Sequence, residues 1–333
     1  MQKQTNTTHR NNITKKIANW SEYNKSLIAR GNISIYVDEA IANKAFLKPH
    51  KTHSVGHPRR YSDDLILFVL TIRELLRLPL RQSIGFVAGL IKSMGLNWQL
   101  PDPSTLSRRM DKLEVDFCRN FRGEDVVLLL DSSGFKVFGE GEWKVRKHGS
   151  GYRRTWRETH IAVDFTSRNI IGLTSAESDV HDNTQLRPLL EQVQKQRGHN
   201  VKTMIGDGAY DAKDNYLLAR ELGIEFIAPP PKNAIEHLNF KPKRYEVYDT
   251  PGWEQRNAVV RHIEEFGLDG WMADVDYHRR SLVENTFYRL KTIFGGNLRS
   301  RKEKTQYTEQ CIRASLINRF NALGLPKYVL AVS

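Results

Sequence analysis

Cysteine is almost absent from this chain of 333 residues, which contains only Cys118 and Cys311. Two cysteines exclude a disulfide framework and a zinc site built from several cysteines. Long apolar runs are also absent, because the longest, at residues 65–70, is far shorter than the ~20 residues of a membrane-spanning helix. The first residues are polar and lack the apolar core of a signal peptide. We therefore expect a soluble, cytoplasmic protein without a membrane partner.

Acidic residues are in the minority, with 38 Asp and Glu against 51 Lys and Arg, and the formal net charge is +13. Such an excess of positive charge indicates a polyanionic partner, and nucleic acid is the commonest one. A membrane surface and a ribosomal contact are competing explanations. The length suits about two domains, and a hydrophobic fraction of 39% is enough to build their cores.

The first 120 residues predict loops followed by helices. We assign residues 1–60 to an N-terminal arm and loops, and residues 61–120 to a helical region. Helices are expected over residues 61–78 with Ser62 as the N-terminal cap, over residues 81–94, and from Pro101 to Met110 with Ser104 as the cap. The third helix exposes Arg108 and Arg109, so the arrangement resembles a DNA-binding helix-turn-helix. A plain helical bundle is the alternative.

Strand patterns begin near residue 124. Apolar residues predict strands that end at Asp131 and at Asp207, and further strands at residues 157–164, 170–174 and 224–228. Helices are predicted over residues 183–197 and 212–222, and residues 229–276 are interpreted as an insertion with one helix near residues 254–266. This order predicts an α/β fold with a mixed sheet and helices on its faces. Residues 121–228 together with 277–325 would form this domain.

Asp131 and Asp207 each follow an apolar strand and are flanked by small residues. Small neighbours let a bulky polyanion approach the backbone, and open α/β sheets place ligands at the carboxyl ends of strands. With Glu284, the pair could hold two Mg²⁺ ions for phosphoryl transfer. A turn or a helix cap is the alternative for either aspartate. We interpret four other acids as turn or cap residues and assign no catalytic role to three histidines: Asp164, Asp179, Asp182 and Asp211, and His148, His160 and His181.

Four residues near the C-terminal end form a second pattern: Tyr277, Arg280, Glu284 and Lys291. On an α-helix their spacing places them within roughly 60° of one another. A carboxylate can hold a divalent metal ion, and the flanking cations suit phosphate oxygens. The alternative is a capping box, in which Ser281 caps the helix and Glu284 only accepts a backbone N–H.

The densest basic and aromatic stretch spans residues 143–157, with Gly149 and Gly151 at its centre. Its cations can pair with phosphates and its aromatic rings can stack on bases. A solvated hairpin is the alternative. The candidate DNA contacts are Lys144, Arg146, Lys147, Arg153, Arg154 and Arg157, with Trp143, Tyr152 and Trp156 as the rings.

These features together resemble the bacterial insertion-sequence transposases of the DDE class, most like the insertion-sequence-five family. The four residues from Tyr277 to Lys291 match the signature Y-x2-R-x3-E-x6-K of that superfamily. Asp207-Gly-Ala-Tyr resembles its second aspartate motif, and Asp131-Ser-Ser-Gly-Phe resembles its first. The segment at residues 17–24 is also similar to the N-termini of these proteins. The resemblance covers nearly the whole chain and shows no departure at the six matched positions.

The resemblance implies a ribonuclease H-like catalytic domain in which Asp131, Asp207 and Glu284 bind two Mg²⁺ ions, or Mn²⁺ in their place. It implies that Tyr277, Arg280 and Lys291 contact DNA near the cleaved end. The implied activity is cleavage of double-stranded DNA at the terminal inverted repeats, followed by joining of the 3′-hydroxyl ends to target DNA. A homodimer on the DNA ends, in the bacterial nucleoid, would carry out both steps. A metal-dependent nuclease without strand transfer and an inactive DNA-binding derivative are the alternatives.

Overall fold

The computed structural model describes residues 13–42, 44, 60–118, 125–137, 156–177, 180–197, 200–240, 247–249 and 252–332. Helices in this part of the chain are α1 Trp20–Arg30, α2 Ile33–Ala42, α3 Asp63–Leu75, α4 Leu80–Ser93, α5 Pro103–Met110, α6 Leu186–Arg197, α7 Lys213–Glu221, α8 Glu254–Asp274, α9 Ser281–Phe294 and α10 Glu303–Leu323. The strands are β1 Ile13–Ile17, β2 Asp125–Val137, β3 Trp156–Asp164, β4 Ile170–Glu177, β5 Asn200–Ile205, β6 Glu225–Ile227, β7 Leu238–Phe240, β8 Val247–Asp249, β9 Asn297–Leu298 and β10 Tyr328–Val332. The same residues contain 3₁₀ turns at Asp182–Gln185, Gly208–Tyr210 and Tyr277–Arg280. None of the described helices is both long and apolar enough to cross a membrane.

The central sheet is mixed, with the strand order β4-β3-β2-β5-β6. β2, β3 and β4 form an antiparallel meander, whereas β5 and β6 run parallel to β2. The parallel strands are reached through the crossover helices α6 and α7, as parallel pairing requires. The predicted α/β fold is confirmed: a mixed sheet with helices follows a helical N-terminal region.

The prediction that the first strand ends at Asp131 was wrong, because β2 continues to Val137. Its pairing with β3 runs from Leu128 to Lys136, so Asp131 lies in the middle of the ladder and faces Ile161. Polar residues after Asp131 hid this continuation in the sequence. The catalytic candidate is therefore held by backbone hydrogen bonds on both sides of its position.

The two edges of β2 differ near Asp131. Pairing with β5 stops at Leu129, and β9 joins the same edge only at Lys136. Among the described residues, no strand covers this edge over residues 130–135, and we call this gap the notch. The notch gives side chains from outside the sheet access to the middle of β2.

The N-terminal residues fold more than predicted, since residues 1–60 were interpreted as an arm and loops. The structure contains α1 and α2 there, and β1 pairs antiparallel with β10. α2 buries one face, made of Tyr36, Val37 and Ala40, and it packs against α3. Seven of its ten residues are apolar, so the segment lacks the alternation of polar and apolar residues that would indicate a helix in the sequence.

The predicted helices of residues 61–110 are present as α3, α4 and α5. The Ser62 side chain caps α3 as expected, accepting the N–H of Leu65 at 3.1 Å. The predicted cap of α5 was wrong: Asp102, not Ser104, accepts the N–H groups of Ser104 and Thr105, at 2.9 and 3.0 Å. Pro103 favours the first helical position and keeps Asp102 extended, which makes Asp102 the cap.

The segment predicted as an insertion contains the β7–β8 hairpin and α8. α8 runs to Asp274, but Gly267 inside it has the non-helical angles φ 76° and ψ 165°. The predicted helix end at Phe266 therefore coincides with a break. Asp211 does not cap α7 as predicted, since its carboxylate accepts Arg256 Nε at 3.0 Å and joins α8 to the sheet.

A buried ion-pair network joins the helical region to the sheet. The Glu74 carboxylate of α3 is fully buried and contacts Arg299 and Arg313 at 2.7 and 2.9 Å. Glu309 of α10 contacts Arg313 at 2.5 Å and accepts the N–H groups that follow β9. The arginines hold the pKa of Glu309 below its usual value although burial opposes this. The network therefore links α3, α10 and β9.

We expect Glu74→Ala to lower the free energy of unfolding by about 3–5 kcal/mol, because it leaves the buried guanidiniums of Arg73 and Arg313 without this carboxylate. Glu39→Ala is the control, since Glu39 pairs with Arg319 at a partly exposed position and such pairs contribute about 1 kcal/mol or less. Urea denaturation measures both. Equal losses in the two variants would contradict the importance of the network.

Candidate active site

The notch brings the two predicted aspartates together. Asp131 lies on β2, and its side chain is 15% exposed. β5 ends at Ile205, opposite Leu129, and Asp207 follows two residues later. The two carboxylates therefore meet where β5 leaves the edge of β2, and each raises the negative potential at that point.

Asp207 also has the capping role that the sequence left open. Its carboxylate accepts the N–H of Ala209 at 3.0 Å and caps the 3₁₀ turn Gly208–Tyr210. This single hydrogen bond uses one carboxylate oxygen as an acceptor and leaves further lone pairs free. Capping and metal ligation are thus compatible at Asp207.

The four signature residues were predicted to share one α-helix, and this prediction was wrong. Tyr277 and Arg280 lie on a 3₁₀ turn, and α9 begins at Ser281. The Tyr277 hydroxyl donates to the carbonyl of Gly206 at 3.2 Å, next to Asp207. Lys291 Nζ donates to Ser133 Oγ at 2.6 Å, two residues after Asp131. These two contacts fix the α9 segment against both strands that carry the aspartates.

Arg280 connects the carboxylates across the notch. Its guanidinium lies 3.6 Å from Asp131 Oδ1 and forms a hydrogen-bonded ion pair with Glu284. The alternative capping box is not formed, because the Ser281 hydroxyl donates to the carbonyl of His278 at 2.9 Å. Glu284 is half exposed and free of any capping contact. Asp131, Asp207 and Glu284 thus surround the same gap.

The acids carry uncompensated negative charge. Burial raises the pKa of Asp131 from 3.8 to about 6, with Arg280 lowering it and the charges of Asp207 and Glu284 raising it. Burial also raises the pKa of Asp207, which Arg280 and the Ala209 N–H oppose. Burial raises the pKa of Tyr277 to about 12, so its hydroxyl remains a donor to Gly206. One guanidinium does not balance this cluster.

The donor set fits a hard divalent cation, because carboxylate oxygens are its preferred ligands and two of the three acids lack a full counter-charge. Among the described residues, no group of three or more Asp, Glu, His or Cys side chains is arranged to hold a metal ion. Glu284 is paired with Arg280 instead.

The other predicted DNA contacts separate into three groups. Arg108 on α5 is exposed. Arg109 is held by the carbonyl of Tyr61 at 2.9 Å and by Asp63. Arg157 is only 8% exposed, because it contacts Glu303 and Gln306 of α10 at 3.0 Å each. The remaining predicted contacts lie outside the described residues: Lys144, Arg146, Lys147, Arg153 and Arg154, with Trp143 and Tyr152.

The prediction of DNA contact at Arg157 is therefore corrected. Its guanidinium ties β3 to α10 and is not presented to a ligand. Trp156 packs against β2, where the Lys136 ammonium lies 5.5 Å from its ring centre. The sequence predicted the start of β3 within one residue, but its charge density did not indicate that Arg157 pairs with α10.

Sequence reasoning missed a second group of polar residues behind Asp131. Asp182 was interpreted as a cap, but its carboxylate accepts the Ser132 hydroxyl at 3.0 Å. His160 Nδ1 lies 3.7 Å from the same carboxylate. Asp182 also raises the pKa of Glu158 and of Asp207. Tyr210, within the motif that starts at Asp207, was the one sequence signal for this group.

We expect Asp131→Asn to stabilise the metal-free protein at neutral pH. The folded state binds the Asp131 proton more tightly than the unfolded chain, so stability is full below pH 3.8 and is lost as pH rises through about 6. Asparagine does not titrate and avoids this loss, which is on the order of 1–3 kcal/mol.

Urea denaturation at pH 4 and pH 7.5 measures the effect. The variant and the wild type should differ little at pH 4, and the variant should be more stable at pH 7.5. A pH-independent difference would contradict the raised pKa of Asp131.

Three solved structures are similar to this chain at low sequence identity. A Drosophila P element transposase strand transfer complex is 12% identical over 87% of each chain, with a TM-score of 0.31. The Mos1 strand transfer complex is 12% identical over 86% of this chain and 83% of that one, with a TM-score of 0.22. A simian T-cell lymphotropic virus intasome with PP2A regulatory subunit B56 gamma is 14% identical over 63% and 64%, with a TM-score of 0.23. These scores are too low to bear on the site.

Family models give the decisive comparison. Two models, each described as a transposase DDE domain, match residues 28–140 and residues 122–319. The second covers more than half of the chain and includes Asp131, Asp207 and Glu284. This chain belongs to the DDE transposase family.

Proposed function

We propose that this transposase cleaves double-stranded DNA at the inverted-repeat ends of its insertion sequence and joins the 3′-hydroxyl ends to target DNA. The observation that carries the proposal is the notch, where acids from β2, the end of β5 and α9 meet around Arg280. Both reactions are phosphoryl transfers, for which a cluster of carboxylates beside cations is suited. The signature residues support assignment to the insertion-sequence-five family.

Asp131, Asp207 and Glu284 are the proposed ligands of two Mg²⁺ ions, with Mn²⁺ as an alternative. When bound, these ions would activate the attacking water or 3′-hydroxyl and stabilise the leaving oxygen. The raised pKa values of Asp131 and Asp207 support ligation, since a cation would offset the charge that burial disfavours.

Arg280 has two successive roles in this proposal. Without DNA it neutralises Asp131 and Glu284. A DNA phosphate would offer its guanidinium a bidentate partner, so that Glu284 becomes available as a ligand. DNA binding would in this way assemble the site, and the free protein would be a poor nuclease.

Lys291 and Tyr277 position the acids and border the DNA. Ser133 takes one of the three donors of the Lys291 ammonium and leaves its charge unbalanced, so a phosphate oxygen can bind beside it. The Tyr277 hydroxyl holds Gly206, and its ring lies next to Arg280, 5.9 Å from that guanidinium. Contact of Tyr277 with DNA would therefore be made through the ring.

The remaining predictions about organisation form part of the proposal. Residues 61–120 would bind DNA through exposed Arg108, with residues 1–60 as an arm, whereas Arg109 is engaged by α3. Residues 121–228 and 277–325 would be the catalytic domain, and residues 229–276 an insertion within it. A homodimer would hold the two ends of the element, because strand transfer requires both.

Substitution of the acids tests the proposal. Asp131→Asn, Asp207→Asn and Glu284→Gln should each reduce cleavage of an end-sequence duplex by at least ~10²-fold, because the amide keeps the shape and weakens metal ligation. Binding of the same duplex, measured by fluorescence anisotropy in Ca²⁺, should remain. The control is Asp125→Asn at the start of β2, where the exposed carboxylate accepts Asn200 Nδ2 at 2.9 Å and lies 3.8 Å from Lys202 Nζ.

The products distinguish the candidate functions. A plasmid carrying the flanking inverted repeats, with Mg²⁺, should give insertions into a second plasmid. Cleavage without insertion would favour a metal-dependent nuclease, and binding alone an inactive derivative. Near wild-type cleavage by any one of the three acid variants would remove that acid from the proposed site.

The basic loop gives an independent prediction. Neutralising Arg153 and Arg154 together should reduce the slope of log affinity against log salt by about two, because each phosphate contact contributes roughly one. Arg157→Gln is the control: its buried contacts predict lower stability with an unchanged slope. A slope that stays the same in the double variant would make the loop a solvated hairpin.

A further inference from the structure

A carboxylate lies directly behind the strand that carries Asp131. Ser132 follows Asp131 on β2, so its side chain faces the opposite side of the sheet. There its hydroxyl donates to Asp182 Oδ2 at 3.0 Å. The Asp182 side chain is 21% exposed and lies on the 3₁₀ turn before α6. Asp182 therefore contacts the catalytic strand one residue from the proposed metal ligand.

Two buried polar side chains lie beside Asp182 without a hydrogen bond. His160 faces Ser132 across the β2–β3 ladder and is fully buried, and neither of its ring nitrogens has a partner. Tyr210 is also fully buried, and its hydroxyl has no partner. Nearly all buried polar groups in proteins are paired, and each exception carries a free-energy penalty. Two exceptions at one carboxylate indicate an arrangement kept for a reason other than stability.

The distances show what these groups are positioned to do. His160 Nδ1 is 3.7 Å from Asp182 Oδ1, about 0.5–1 Å beyond hydrogen-bond range. Burial raises the pKa of Tyr210 well above its usual value, and Asp182 is the charge that adds most to this. After a small shift, the Asp182 carboxylate could hydrogen-bond to His160 and still accept the Ser132 hydroxyl.

Asp182 contacts or acts on the segments that carry Asp131 and Asp207. Ser132 adjoins Asp131, and Tyr210 closes the 3₁₀ turn that Asp207 caps. The Tyr210 ring also packs under Gly206, where a Cβ would lie 3.0 Å from it. The turns that contain Asp182 and Asp207 pack on each other. Asp182 thus lies between the two segments and contacts the one that carries Asp131, while its turn packs on the one that Asp207 caps.

We propose that Asp182 is a positioning residue for both catalytic aspartates, and that its negative charge strengthens binding of the divalent cation in the notch. The proposal rests on the proposed function. Outer carboxylates that orient metal ligands affect metal affinity or activity by about 10–100-fold. The charge matters as well as the hydrogen bond, because Asp182 already acts electrostatically on Asp207.

The test separates charge from structure. Asp182→Asn keeps an acceptor for the Ser132 hydroxyl but removes the charge, whereas Ser132→Ala removes the hydrogen bond and keeps the charge. Asp164→Asn is the control, since Asp164 is a buried carboxylate that holds a turn through Ser167, at 2.6 and 2.7 Å. Mn²⁺ binding to the protein in complex with an uncleavable end-sequence duplex, which frees Glu284 in the proposed function, is followed by electron paramagnetic resonance and measured beside cleavage rate and thermal melting.

Asp182→Asn should weaken Mn²⁺ binding about tenfold and raise the Mn²⁺ concentration for half-maximal cleavage to the same extent, with little change in melting temperature. Asp164→Asn should lower the melting temperature and leave Mn²⁺ binding unchanged. Wild-type Mn²⁺ binding in Asp182→Asn, or weakened binding that Asp164→Asn reproduces, would overturn the proposal.

One further variant separates this proposal from the proposed function. Asp131→Asn should abolish most Mn²⁺ binding if the notch holds the ion. If Asp131→Asn weakens binding and Asp182→Asn does not, the role of Asp182 is wrong and the catalytic site stands. If the wild type neither binds Mn²⁺ nor cuts DNA, both are wrong.

Discussion

The pairing of Glu74 and Glu309 with Arg73, Arg299 and Arg313 is the interaction on which the other parts of this structure depend. Arg299 contacts Glu74 and also donates to the carbonyls of Arg73 and Leu78, at the turn between α3 and α4. Arg313 donates to the carbonyl of Asn297 at 3.0 Å and so holds β9. Because β9 pairs with the far end of β2, the network sets one border of the notch. Buried ions are costly to desolvate, and this network therefore contributes a defined arrangement more than net stability.

The three candidate catalytic acids have fewer cationic partners than the buried carboxylates of the network. In the network, each buried carboxylate has its arginines, whereas in the notch three acids share Arg280. Burial, which Arg280 only partly offsets, raises the pKa of Asp131 and of Asp207. Functional sites commonly keep such unfavourable charge, and the surrounding structure compensates for it. The uninterrupted β2–β3 ladder and the contacts of Tyr277 and Lys291 supply that compensation here.

Much of the site could be predicted from the sequence, because its chemistry depends on spacing along the chain. Asp207 follows its strand as predicted, and the offsets from Tyr277 to Lys291 place all four residues near the notch. The mixed sheet followed from the order of strand and helix patterns. Metal ligation, DNA contact and domain boundaries stay predictions. The sequence could indicate the strand before Asp207, the spacing from Tyr277 to Lys291 and the mixed sheet, because each is local or depends on the order of elements along the chain.

Features that depend on pairing between distant segments could not be predicted. The extension of β2 past Asp131 depends on β3, and polar residues in it do not indicate a strand. Arg157 and Arg109 appear as free cations in the sequence, yet partners far along the chain or on α3 engage them. Asp182 resembles a helix cap by position, and only the fold brings Ser132 to it.

The position of α10 in the chain has a consequence for how the protein is made. α10 follows every proposed catalytic residue, yet its side chains complete the network and bind the start of β4, where Asn318 contacts Ile170 at 2.7 Å. Domains fold as they emerge during synthesis, with N-terminal parts first. A nascent chain that ends before residue 303 already contains all three acids but lacks the helix that anchors β9 and α3. We therefore expect the proposed cutting site to become ordered only after α10 has been made.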